Sequence, residues 1–314
     1  MNILVTGCGG FVGSYVSEAL LKRGDVVIGI DNINEYYDQT IKEKNILTLK
    51  KFNNFKFYKS DITNFQEIKK VFLENKIEKI VHLAARAGVR PSIENPELYF
   101  NVNVNGTENL LKLAVGSKVK NFIFGSSSSV YGTNKKAPFS EEDPIDNIIS
   151  PYAQTKREGE RLCKKYHEEV GINITCLRFF TVYGPRGRPD MAIYKFTKLI
   201  TEGKEIPMYG DGNSKRDYTY ITDIVFGIIS ALDKNLKFEI VNLGNSSPIS
   251  LSGMIRLIEK KLNKKAKINS MPKQKGDVEL TYADISKAKR LLEYEPKVKI
   301  EEGIKRFVEW YRQR

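Results

Sequence analysis

"NILVTGCGGFVG", residues 2–13, runs an apolar stretch directly into Gly7, Gly10 and Gly13, and residues 11–23 follow with helical periodicity. Glycines at this G-x-x-G-x-x-G spacing permit a tight turn at a strand's end. They also let a pyrophosphate approach a helix N-terminus, where unpaired N–H groups and the dipole favour anions. The next apolar run, "VVIGID", ends at Asp31 and is followed by Asn32. An acid about 20 residues after such a loop can bond an adenine ribose diol and repel a 2′-phosphate, which favours NAD over NADP. A purely structural glycine turn would not require that acid.

The same rhythm continues outward. "FKFYKSD" (55–61), "KIVHLAA" (79–85), "NFIFGSS" (121–127) and "ITCLRFF" (174–180) read as strands, with helical patterns at roughly 64–75, 95–116 and 151–170. Near-continuous apolar strands alternating with helices predict an α/β fold, a Rossmann-type doubly wound parallel sheet. After about residue 180 the pattern changes. "VYGPRGRPDMA" (182–192) reads as loop, a helix is expected at about 190–203, and "YGDGNS" (209–214) reads as a turn. A helix from about 222, one more strand in "EIVNLGN" (239–245), and helices near 251–263, 284–292 and 301–312 complete the chain. The expected division is 1–180, with a return segment at about 217–245, as the nucleotide-binding domain. Residues 181–216 and 246–314 form a smaller C-terminal lobe, with a substrate cleft between the two.

Composition narrows the function. The 314 residues are 41% hydrophobic and 28% charged, as in a soluble globular protein. No apolar run approaches the ~18 residues of a membrane span, and the opening residues lack the basic segment of a secretory signal, so a cytoplasmic protein is expected. Cys8, Cys163 and Cys176 show neither zinc nor disulfide spacing and read as small, buried, reduced side chains. His82 and His167 are too few for a histidine metal site or a Ser-His-Asp hydrolase, and His82 sits in an apolar run; no metal is expected. The net charge is +13, but the lysines are spread along the chain, with only short clusters such as "KKLNKKAK". That suits anionic small substrates better than nucleic acid.

The candidate chemistry gathers at strand ends. Asp61-Ile62 closes the third strand, where the acid either caps the next helix or bonds an adenine amino group. Ala84 and Ala85 are small enough for a cofactor to lie flat across the fourth. The fifth strand ends in "FGSSSSVYG", which puts hydroxyls where open α/β sheets bind ligands. Then comes "SPYAQTK" (150–156), in which Tyr152 and Lys156 share a helix face. A nearby ammonium should lower the phenol's pKa from about 10 towards neutral. A tyrosine so tuned takes a proton from an alcohol while nicotinamide takes the hydride.

In combination, "TGCGGFVG", "DN", "SDI", "HLAA", "SSSSVYG", "SPYAQTK" and "LRFFTVYGPRGRPDMA" resemble the extended short-chain dehydrogenase/reductase family over essentially the whole chain. "AARAGVR" (84–90), "RPDMA" (188–192) and "GDVELTYADISKAKRLLEY" (276–294) are most similar to NAD-dependent UDP-sugar 4-epimerases, in particular those acting on UDP-glucuronate. The resemblance implies a tightly held NAD, with Tyr152 as base, Lys156 as its tuner and Ser127 as partner of the sugar 4-hydroxyl. It places Gly7, Gly10, Phe11, Val12, Gly13, Asp31, Asn32, Asp61, Ile62, Leu83, Ala84, Ala85, Asn103, Ser126 and Phe180 at the cofactor. Arg188 and Arg216 become diphosphate ligands. Met191, Ala192, Pro207, Met208 and Tyr209 resemble uracil-binding stretches, and Arg90, Ser128, Thr181 and Asp277 complete the substrate set. Gln274 stands where some relatives carry a further arginine, flanked by Lys273 and Lys275.

Departures from neighbouring activities sharpen this. Related 4,6-dehydratases follow the serine or threonine with Asp-Glu, and UDP-glucuronate decarboxylases carry Glu at the position of Ser129. This chain has Ser128-Ser129. UDP-galactose epimerases typically carry Asn in place of Thr181, so the uronate is favoured and UDP-glucose/UDP-galactose epimerisation is the alternative. A non-catalytic NAD-binding module would not need Ser127, Tyr152 and Lys156 together. The helices at about 97–115 and 151–168 resemble the pair that forms a homodimer interface, with Tyr99, Leu110, Leu162 and Tyr166 as contacts or as core.

Overall fold

Every strand expected from an apolar run enters one parallel sheet in the computed structural model, which describes residues 1–272 and 278–314. The first half lays down β1 (Asn2–Thr6), α1 (Phe11–Lys22), β2 (Val26–Ile30), α2 (Gln39–Leu49), β3 (Phe55–Tyr58), α3 (Phe65–Glu74) and β4 (Lys79–His82). Then follow α4 (Val89–Glu94), α5 (Pro96–Phe100), α6 (Gly106–Gly116), β5 (Asn121–Ser127), α7 (Pro151–Val170) and β6 (Asn173–Phe179). The second half contributes β7 (Thr181–Tyr183), α8 (Ala192–Thr201), β8 (Glu205–Tyr209), β9 (Lys215–Tyr220), α9 (Ile221–Asp233) and β10 (Phe238–Leu243). It closes with β11 (Pro248–Ser250), α10 (Leu251–Leu262), β12 (Lys267–Met271), α11 (Ser286–Leu292) and α12 (Ile300–Gln313).

The main sheet has the order β10-β6-β5-β4-β1-β2-β3, with every pairing parallel. Alternation along each strand feeds two cores. Ile3, Val5, Val27, Val81, Ile123 and Leu177 face α1 and α9, while Leu4, Ile28, Ile80, Phe122, Phe124 and Ile174 face α3, α6 and α7. Burial on both faces explains the near-continuous apolar runs. The chain order reverses beside β1, so the crevice at the strands' C-terminal ends lies at the switch point, where ligands of such sheets bind.

Local signals set the helix starts. Ser150 caps α7 by accepting from Ala153 N at 3.2 Å, with Pro151 at the first helical position. Asn64, and not Asp61, caps α3, through a reciprocal pair with Glu67. The continuous helix expected over 95–116 is broken: α5 and α6 are joined by a π-helical turn, Asn101–Asn105. Beyond β6, a three-stranded sheet (β11-β9-β7) and the pair β12-β8 build the outer wall, and neither was anticipated as a sheet. Buried Asp217 stitches this region together by accepting from the amides of Asn245, Ser246 and Ala283 at 3.0–3.1 Å.

Candidate active site

A cleft of about 1240 Å³ runs over the strand tips from the glycine loop to the outer wall. At one end the packing is backbone against backbone. A Cβ on Gly13 would lie 2.0 Å from Gly7 O, and one on Gly7, at φ 72°, would lie 2.8 Å from Ala84 N. Side chains at either place would push α1 away from β4, so the glycines keep a close-walled cradle at the N-terminus of α1. Gly10, Phe11, Val12 and Gly13 line it. Asp31 forms its far edge, its carboxylate accepting from Gly9 N at 3.0 Å and Ile33 N at 2.8 Å. Burial raises the Asp31 pKa against those two amides and Lys42.

Next to it, Asn32 donates to Asp61 at 2.6 Å, and Thr63 N and Oγ1 reach the same carboxylate at 2.8 and 2.7 Å. Burial opposes the charge of Asp61, but these bonds outweigh it and hold the carboxyl below its usual range. Ile62, Leu83, Ala84, Ala85, Ser126 and Phe180 continue the lining, as expected. Asn103 does not reach it. That side chain is buried, bonding Arg86 N and O at 2.8 and 2.9 Å and Thr155 Oγ1 at 3.0 Å. The π-helical turn aims Asn103 inward, where it ties the β4–α4 loop to α7.

Beneath this wall lies His82, wholly buried. Thr107 gives its proton to Asn103 O at 2.6 Å and so accepts from His82 Nε2 at 2.9 Å, while Thr6 Oγ1 donates to Nδ1 at 2.7 Å. The bonds select the Nε2–H tautomer. Burial, with Lys156 nearby, pulls its pKa down to about 3, so the imidazole is neutral. It is the core residue expected.

Ser127, Tyr152 and Lys156 meet at the middle of the cleft. The Ser127 hydroxyl accepts from Ser129 N at 3.2 Å and Ser129 Oγ at 2.9 Å. Its own proton is therefore free to be donated, and the Tyr152 phenol is within bonding reach. From the sequence Ser129 was read only as the place of a missing carboxylate; in the structure it orients Ser127.

The expected lowering of the Tyr152 pKa is not found. Burial raises it, opposed by the Ser127 hydrogen bond and the charge of Arg188. The Lys156 ammonium points instead at Gly125 O, 2.7 Å away, and burial brings its own pKa down to about 8. Desolvation of the phenolate outweighs the Ser127 hydrogen bond and the Arg188 charge.

Underneath, Glu160 accepts from Ser126 Oγ at 2.6 Å and from Arg178 at 2.8 and 2.9 Å, all buried. This pair fixes the tip of β5 from below. Only the helical pattern of α7 and the apolar run of β6 were legible in the sequence, and the charged pair was missed.

At the outer end, Arg90, Ser128, Thr181, Arg188, Met191 and Arg216 line the cleft. Arg188 forks onto Asp190 at 2.6 and 3.0 Å. Its charge acts on Tyr152, which places it beside the tyrosine. Ala192 lines a small neighbouring cavity instead. Pro207, Met208 and Tyr209 lie on β8, paired with β12 behind the cleft wall. Of these, Tyr209 touches it indirectly, with Arg90 over its ring at 5.1 Å. Asp277, Lys273, Gln274 and Lys275 lie outside the described residues. Of the residues considered for an interface, Tyr99 and Leu110 are core, while Leu162 and Tyr166 are partly buried on their helix. Among the described residues, no cluster of His, Cys, Asp and Glu is placed to hold a metal, and no helix is long and apolar enough to cross a membrane.

A Rossmann-type sheet with its glycine cradle and a Tyr-x-x-x-Lys helix over one cleft is the layout of the extended short-chain dehydrogenase/reductases. More narrowly, the chain belongs to the family whose model is described as GDP-mannose 4,6 dehydratase, which matches residues 4–307. UDP-glucuronate 4-epimerase of Thermodesulfobacterium geofontis is 50% identical over 308 residues, covering 98% of this chain and 95% of that protein. The crystal structure of UDP-glucuronic acid 4-epimerase from Bacillus cereus, in complex with UDP-glucuronic acid and NAD, is similar with a TM-score of 0.94 and 39% identity, covering 100% of this chain and 99% of that one. UDP-glucose 4-epimerase from Thermotoga maritima, with UDP-glucose, gives a TM-score of 0.90 at 33% identity, covering 100% and 99%.

Proposed function

We propose that this protein is an NAD-dependent 4-epimerase that interconverts UDP-glucuronate and UDP-galacturonate. The observation that carries the reading is the Ser127–Tyr152–Lys156 set in one cleft with serines, not carboxylates, at 128 and 129. The dehydratase description belongs to the family as a whole. An elimination of water needs an acid and a base beside the sugar, and Ser128-Ser129 offer neither.

The close-walled cradle fits a dinucleotide. Gly7, Gly10 and Gly13 hold the pyrophosphate, Asp31 the ribose diol and Asp61 the adenine, with Ser126, Lys156 and Phe180 at the nicotinamide end. Bound NAD supplies a two-electron acceptor that later returns the same hydride. Tyr152 removes the proton of the sugar 4-hydroxyl and returns it once the 4-keto sugar has turned over, while Ser127 orients that oxygen. The 4-keto uronate is a β-keto acid, prone to lose CO₂. The hydroxyls of Ser127, Ser128 and Thr181, with Arg90, hold the carboxylate out of the alignment that C–C cleavage needs. Arg216 takes the diphosphate, and Met191 packs on the uracil.

The division follows the chemistry: residues 1–180 with the return at about 217–245 carry NAD, and the remaining segments carry the UDP-sugar. Two copies pair through α6 and the face of α7 that bears Leu162 and Tyr166, and the unpaired thiols suit a cytoplasmic setting.

NMR of UDP-glucuronate and, separately, UDP-glucose incubated with the purified protein tests the reading. UDP-galacturonate formed without a pentose product is the expected result. Turnover of UDP-glucose alone replaces it with a UDP-galactose epimerase.

A further inference from the structure

Past Asp31 and Asn32, the segment between β2 and α2 has no role in the reaction above, yet it is elaborately built. Ile33 adopts φ 51°, a left-handed conformation rare for a β-branched residue. Side-chain acceptors hold the turn: Asp31 for Ile33 N at 2.8 Å, Asn32 for Asn34 N at 3.1 Å, and Asn34 for Tyr36 N at 3.2 Å. Lys42, buried on α2, donates to Asn34 O at 2.7 Å and to Asn34 Oδ1 at 2.8 Å. Strain of this kind persists only where the surroundings over-determine it, and it gathers at functional sites.

Its effect is to carry Tyr36 from the cofactor acid's loop into the cleft. There the phenol donates to Ala87 O at 2.5 Å, beside that of Tyr99 at 2.8 Å. Tyr99 meets Tyr152 edge to face, with ring centroids 6.3 Å apart. Over the Tyr36 ring lies the Arg188 guanidinium, 5.2 Å from its centroid, with Asp190 gripping its fork. Arg188 is thus held from two directions, by a carboxylate on its own loop and by a ring delivered from the opposite lobe.

We propose that Tyr36 is a positioning residue for substrate recognition: its ring is the platform that holds Arg188 in the cleft, ready for an anionic group of the UDP-sugar. The choice of substrate rests on the epimerase reading above. Asp190 alone holds the arginine only to its own loop, because the carboxylate sits two residues along the same segment. The ring adds a face contact that costs Arg188 none of its hydrogen-bond donors. The hydroxyl's role is to tether the ring to Ala87.

The test is a double-mutant cycle on the NAD-loaded protein, read as the Kd of UDP-glucuronate by calorimetry and as KM and kcat. Tyr36→Leu should raise Kd and KM about 10-fold, with kcat within about 3-fold and bound NAD unchanged. Tyr36→Phe keeps the ring and should stay within about 3-fold of the parent. In an Arg188→Ala background, Tyr36→Leu should add almost nothing, since the two act as a unit. An unchanged Kd in Tyr36→Leu, an equal loss in Tyr36→Phe, or a full additional loss without Arg188 would each overturn the proposal. UDP-glucose in the same cycle separates the anions: coupling retained there assigns Arg188 to the diphosphate, and coupling seen only with UDP-glucuronate assigns it to the carboxylate. A parent protein that binds UDP-glucuronate without epimerising it refutes the epimerase reading, and the Kd cycle still decides the platform.

Discussion

The two ends of the cleft are made of different material. At the glycine end the walls are backbone: Gly13 against Gly7, and Gly7 against Ala84, with Asp31 engaged by main-chain amides. At the sugar end the walls are side chains from loops, short strands and the start of α4, among them Arg90, Thr181, Arg188 and Arg216. A dinucleotide's pyrophosphate is the same in every enzyme that uses it, so backbone can read it. A sugar's substituents differ from one substrate to the next, and side chains can be exchanged without rebuilding the sheet. The same fold can therefore keep its cofactor and change its sugar.

Several substitutions break or sharpen this contrast. The largest expected effect is Tyr152→Phe, which should cost about 10³-fold in kcat while leaving bound NAD, read by its absorbance after denaturation, at the parental level. Gly13→Ala attacks the opposite end. Its methyl cannot fit 2.0 Å from Gly7 O, so bound NAD and thermal stability should both fall, by at least about 10-fold in NAD occupancy. An NAD content equal to the parent's would show that the glycine cradle is not the cofactor site.

Next is the joint between the two ends. His82 bridges Thr6 at the end of β1 and Thr107 on α6. Its folded pKa lies near 3 against 6.5 unfolded, so the unfolded chain takes up a proton first as the pH falls. The stability that neutral His82 contributes is complete above about pH 6.5 and is lost as the pH falls from there towards 3, at up to about 1.4 kcal/mol per pH unit. Urea midpoints at pH 7, 5.5 and 4.5 should fall more steeply in the parent than in His82→Gln. Parallel slopes would remove His82 from the account. The smallest effect is Thr181→Asn, expected to shift the kcat/KM ratio between UDP-glucuronate and UDP-glucose by about 3–10-fold towards the neutral sugar.

The contrast also explains what could be read from the chain alone. The sheet was legible because its central strands are buried on both faces and so have no polar alternation to blur them. The cradle was legible because close backbone approach requires glycine at fixed places. Tyr152 and Lys156 were legible as a pair, since i and i+4 share a helix face. The direction of the lysine was not, because it is decided by Gly125 O on a strand 31 residues away. The π-helical turn was hidden inside a continuous periodic pattern; Asn103, placed at the cofactor by resemblance, braces a loop. β7, β8 and β9 are only 3–6 residues long and their neighbours are remote in sequence, so nothing local marks them. Tyr36 was passed over because "NINEYYDQT" is polar and reads as a loop; only the opposite lobe shows what the ring faces.

All three cysteines are wholly buried thiols, and they are well distributed: Cys8 follows the glycine turn, Cys163 sits on α7 and Cys176 on β6. A thiol with no exposed surface is alkylated only when its surroundings open. The protein thus carries native probes of local opening beside the glycine loop and along the tyrosine helix, with no label to introduce. Alkylation rates resolved by peptide mass would report the breathing of the glycine loop through Cys8 and that of the tyrosine helix through Cys163. Ligands that quiet one rate and not the other would reveal which half of the molecule each one clamps.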